Sequence, residues 1–67
     1  MSKRAYDLFP ITLDEQIVCV ERELRYRRNV YPRRVADRKM PAASADKQIE
    51  LMEAVLATLR RLRETSR

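Results

Sequence analysis

Glycine, histidine and tryptophan are absent from this 67-residue chain, and cysteine occurs once. Without glycine there is no phosphate-cradling loop, and the tight turns that join strands are disfavoured. Without histidine there is no ordinary general base near neutral pH. Cys19 alone supplies no zinc cage and no metal site, and it closes no intramolecular disulfide. A reducing, cytoplasmic setting is the expectation that follows. No apolar run approaches a membrane span, so no membrane partner is expected. Met1-Ser2-Lys3-Arg4 starts as a signal peptide does, but Asp7 and Pro10 interrupt what would be its apolar region.

Catalytic groups are scarce as well. Ser2, Ser44 and Ser66 stand in a tail, at a helix start and at a terminus, with nothing to activate them. Cys19 adjoins Val18 and Val20, which predicts a buried or half-buried structural thiol. Glu50 and Glu53 read as a solvated helix face, because no matching carboxylate pair stands on the first helix. The expectation is a protein that is not an enzyme and uses no cofactor.

What the chain has is helix-forming composition, rich in Ala, Leu, Arg, Glu and Lys. Residues 1–11 read as a flexible tail, in which Leu8, Phe9 and Ile11 are placed to fold back over the helix ends. Thr12-Leu13-Asp14-Glu15 fits a capping box and starts a helix. Leu13, Ile17, Val20 and Leu24 then recur at four- and three-residue steps, one seam of a packed helix. Glu21 with Arg25, and Glu23 with Arg27, are i,i+4 pairs on its flanks. The seam falters at Arg27 and Arg28, where a charged head must reach solvent or find Glu50 or Glu53, and it resumes at Tyr31 and Val35.

Pro32 either starts a new helix or kinks a continuing one. Matched arm lengths favour the kink, giving a helix over about 13–38 and a second over about 41–63, begun at Pro41 or capped by Ser44. Asp46 and the late arginines Arg60, Arg61 and Arg63 suit the dipole of the second helix, and the residues from Glu64 onward are expected to fray. The seam of the second helix is Ala45, Ile49, Met52, Leu56 and Leu59, with Leu51, Val55 and Leu62 as a stripe beside it. The fold class is therefore all-α, an antiparallel two-helix hairpin over residues 12–64. Leu13 and Ile17 should meet Leu59 and Leu62, Val20 should meet Leu56, and Tyr31 should lie near Ala45 and Ile49. Leu24, Met52 and Leu56 should form the core centre.

Two surfaces stand out. Eight basic residues between Arg22 and Lys39 face only Glu23 and Asp37, a block of +6 in a chain of +5. Arg25, Arg28, Arg33, Arg34, Arg38 and Lys39 are the candidate contacts to a partner or to phosphate, with Tyr26 and Tyr31 as stacking platforms. The competing reading is a basic face that only solvates a helix. Leu51, Val55 and Leu62 are the candidate self-association residues, which a second copy would cover in a dimeric four-helix bundle.

Three segments carry a resemblance: Gln16-Ile17-Val18-Cys19-Val20-Glu21-Arg22-Glu23, Val30-Tyr31-Pro32-Arg33, and Met52-Glu53-Ala54-Val55-Leu56-Ala57-Thr58-Leu59. From Gln16 to Leu62 the chain resembles a family of short uncharacterised proteins encoded by bacterial phages and prophages. The resemblance implies phage-related biology in a host cytoplasm, and it carries no activity and no site residues. The expected function is a non-catalytic adaptor acting through protein–protein contacts, with nucleic-acid binding by the basic block as the alternative.

Overall fold

The computed structural model describes residues 11–66, so the expected folding back of Leu8 and Phe9 lies outside the described residues. Ile11 is exposed. Two helices make up the fold: α1, Leu13–Ala36, and α2, Ala42–Thr65, each of 24 residues. They pack on each other as an antiparallel hairpin.

α1 begins as its sequence dictates. The Glu15 amide donates to Thr12 Oγ1 at 3.0 Å, and the Thr12 amide donates to Glu15 Oε1 at 2.9 Å. Both halves of the capping box are formed, so two otherwise unpaired amides are satisfied. The helix then runs through Pro32 without a break. A proline there removes the amide that would bond the Arg28 carbonyl, a defect that costs about 3 kcal/mol in an isolated helix. Tyr31 and Val35, on either side of it, are half-buried against the second helix. Their packing gives the continuing helix tertiary support that an isolated one lacks.

The first helix ends two residues earlier than the expected Arg38. Arg38 sits at φ 60°. The Arg38 amide donates to the Val35 carbonyl at 3.0 Å and the Lys39 amide to the Arg34 carbonyl at 2.8 Å. That pair of bonds is a Schellman stop, which usually places glycine in the left-handed position. This chain has no glycine, and arginine takes the left-handed conformation at a cost of about 1–2 kcal/mol.

α2 takes Pro41 as its N-cap, at φ −64° and ψ 140°, with no side-chain cap bond. Ser44 lies inside the first turn and does not cap, and Asp46 falls beyond that turn, which carries no acidic residue. At the other end the helix does not fray at Glu64. It continues through Thr65, and the Ser66 amide and hydroxyl both donate to the Leu62 carbonyl, at 3.0 and 2.8 Å.

The core is one seam. Ile17, Leu24 and Leu56 are buried together, and Val20, Ile49, Met52 and Leu59 pack half-buried around them. Ala45 is buried towards the loop end, where Tyr31 and Ile49 line the same shallow hollow, as the register requires. Two expectations need correction. Met52 is half-buried, and Ile17 takes its place among the most buried residues. Leu62 does not meet Leu13 and Ile17. It is exposed, and Arg63 occupies the next seam position and binds Asp14. The 4-3-4-3 rhythm from Ala45 reaches position 63, so Leu62 is rotated off the seam.

Leu56→Ala is expected to lower unfolding stability by about 2–5 kcal/mol, read from urea melts. Arg38→Gly should raise it by about 1 kcal/mol, because glycine enters the left-handed region without strain.

Candidate interaction surfaces

The seam divides the hairpin surface into two flanks and two outer faces. One flank is tied by ions. Arg28 Nη2 reaches Glu53 at 2.7 Å, and Arg60 Nη2 reaches Glu21 at 2.8 Å. Arg63 Nη1 reaches Asp14 at 3.1 Å, while its Nε is buried with no partner among the described residues. All three bridges cross from one helix to the other and fix the antiparallel register. Glu21 therefore pairs with Arg60, not with the Arg25 that its i,i+4 spacing suggested. Cross-helix partners also answer Arg28, since Glu53 lies opposite it. Each pair is largely solvated and contributes no more than about 1 kcal/mol.

Arg27 behaves differently. It occupies the seam position between Leu24 and Tyr31, with its side chain only 18% exposed. Its Nε bonds Glu23 at 2.9 Å, its Nη1 donates to the Gln48 carbonyl at 2.9 Å, and its guanidinium lies 5.9 Å from the Tyr31 ring centroid. The alkyl stem fills the seam while the head finds polar partners at its edge. Glu23, expected as the i,i+4 partner, is that partner.

The flank opposite the cross-helix bridges is apolar. Leu51, Val55 and Leu62 are 48, 45 and 49% exposed. At steps of four and seven residues they form one stripe of α2, with Thr58 between Val55 and Leu62. Leu51, Ala54, Val55, Thr58 and Leu59 line a shallow, open hollow on it. Helical spacing puts Cys19, Tyr26 and Val30 of α1 on the same side of the hairpin. Cys19 is exposed there, contrary to the expected buried thiol. Adjacency to valines misled, because Val18 itself points out of the seam and is 50% exposed.

The basic block is split by the fold. Arg27 and Arg28 turn to carboxylates. Arg34 Nη2 lies 3.4 Å from the Tyr26 hydroxyl oxygen. Arg25, Arg33, Arg38 and Lys39 are exposed, with no carboxylate within bridging distance among the described residues. Arg22 shares that condition and was not singled out by the sequence. Its signal was the eleven-residue step to Arg33, three helical turns, which stacks the two on one face.

No group of three or more His, Cys, Asp or Glu side chains able to hold a metal converges among the described residues. No helix among them is long and apolar enough to cross a membrane. The fold and its surfaces define the class: an all-α helical hairpin with one ion-tied flank and one apolar flank. Comparison with protein-family models, with curated proteins and with solved structures finds no match to this chain.

Arg27→Leu should raise stability by about 1 kcal/mol, since it adds apolar area to the seam and leaves Glu23 and the Gln48 carbonyl at its solvent edge. Arg28→Ala should cost less than about 1 kcal/mol in the same denaturant melts.

Proposed function

We propose that this chain is a small non-catalytic binding module that acts through protein–protein contacts on its apolar flank. The observation that carries the reading is the stripe of Leu51, Val55 and Leu62, each close to half exposed. A contiguous apolar strip with no covering element among the described residues marks an interaction surface more often than a chance of composition. A phage-related, cytoplasmic setting in which the module serves as an adaptor is part of the same proposal, and it rests on the resemblance read in the sequence alone.

The first partner is a second copy of the chain. Each helix of 24 residues is about 36 Å long, and two helices side by side present a flank about 20 Å wide. The resulting face of about 700 Å² is close to the 800 Å² per partner of a standard stable interface. Charge favours the same side. Among the described residues most cations without a carboxylate partner lie on the outer face of α1 and the loop, while Glu23 on the apolar flank is already bonded to Arg27. Two copies meeting there bury apolar area without bringing the basic faces together. The product is a four-helix bundle with a second core layer, which a chain this short otherwise lacks.

Sedimentation equilibrium tests this. The wild-type chain should be dimeric at micromolar concentration, and Val55→Glu should be monomeric while keeping its helical circular dichroism. A monomer at high micromolar concentration, with Val55→Glu leaving mass and stability unchanged, would overturn the proposal.

A further inference from the structure

A second surface, which borders the apolar flank along Tyr26, carries a different partner. The fold removes Arg27 and Arg28 from the basic block by turning them to Glu23 and Glu53. What stays outward is ordered. Arg22, Arg25, Asn29 and Arg33 follow one another at three, four and four residues, which places them along the face of α1 opposite the seam. All four are exposed. From Arg22 to Arg33 the row is about 16 Å long at 1.5 Å per residue. Arg38 and Lys39, exposed in the loop, extend it past the helix end. Asp37 is the only acidic residue from Arg25 onward to the loop. Asp46, Glu50 and Glu53 belong to the other helix.

Tyr26 borders this row, four residues on from Arg22 and seven before Arg33. It is 50% exposed, and the Arg34 guanidinium lies beside its hydroxyl. An exposed aromatic ring beside a row of arginines serves no purpose in the hairpin core, whose seam lies on the other side of the helix.

We propose that the outer face of α1 binds single-stranded nucleic acid. Arg22, Arg25, Arg33, Arg38 and Lys39 contact phosphates along the strand, Asn29 donates between Arg25 and Arg33, and Tyr26 stacks on one base. Guanidinium forks match phosphate oxygens; Arg22, Arg25 and Arg33 span about 16 Å, and Arg38 and Lys39 carry the charge past the helix end. The single strand is the favoured form because Tyr26 offers a π-face that only an unstacked base can use. An acidic protein surface would satisfy the arginines equally but would give the ring no partner.

Fluorescence anisotropy of labelled oligothymidylate and oligouridylate with the full chain is the test, run over a salt series with duplex DNA and polyglutamate as competitors. Five phosphate contacts predict that log K falls with log salt at a slope of about −3.5. Arg22→Gln with Arg33→Gln should weaken binding and make the slope shallower by about 1.4. Lys47→Gln with Arg61→Gln removes the same charge from α2 and should leave both nearly unchanged. Tyr26→Ala should lower affinity by about fivefold or more, and Tyr26→Phe should retain it. Circular dichroism checks that each variant is folded. Absence of binding at low salt would overturn the proposal. So would equal losses in the two arginine and lysine pairs, competition by polyglutamate as strong as by oligonucleotide, or duplex bound as tightly as single strand.

Discussion

The seam of Ile17, Leu24 and Leu56 is the interaction on which the rest of this hairpin depends. Two helices packed side by side can cover only one stripe on each other, and here each stripe is a short one. The seam is interrupted once and closed at its far end by groups that are not apolar. Arg27 fills one seam position with its stem and sends its head to Glu23 and Gln48, and Arg63 closes the far end against Asp14. Hydrophobic packing and polar anchoring thus alternate along one line. The bridges on the flank add little free energy, but they pair opposite charges in one register and leave like charges facing in others. Their contribution is to which antiparallel alignment forms.

The same limit shapes both outer surfaces. α2 is apolar over two adjacent faces, and the hairpin covers one, so Leu51, Val55 and Leu62 remain in solvent. α1 has one apolar seam, and opposite it the basic row from Arg22 to Arg33 is left without carboxylate partners among the described residues. A hairpin of two equal helices thus presents two surfaces of distinct chemistry with few residues. The two proposed contacts use opposite properties: one buries apolar area between copies, the other attracts a polyanion.

The turn shows how a chain without glycine ends a helix. Arg38 adopts the left-handed conformation, and the Schellman bonds to Arg34 and Val35 outweigh the strain locally. Pro41, which has no amide hydrogen to donate, then starts the second helix from an extended backbone. The positive charge of Arg38 and Lys39 is carried out to the tip by the same turn.

Local chemistry was legible directly. The capping box at Thr12 and Glu15, the seam periodicity, the two-helix count and the Glu23–Arg27 pair all rest on residues within four positions of each other. They follow from helical geometry whatever the neighbouring helix does. Continuation through Pro32 was legible only by weighing arm lengths, and the two helices are equal in length. Three features were decided by the packing of one helix on the other. Glu21 chose Arg60 over Arg25 because the partner helix brings a guanidinium across the flank. Cys19 and Val18 faced outward because the crossing fixes which side of each helix is inside. The basic block reads in sequence as one run of charge, but only the tertiary arrangement splits it, since a carboxylate twenty-five residues away neutralises Arg28 and none among the described residues reaches Arg22. The sequence alone determined where helices form, because helix formation is set by near neighbours. The tertiary structure decided which charges and which apolar residues are left for partners, because that depends on what the other helix has already covered.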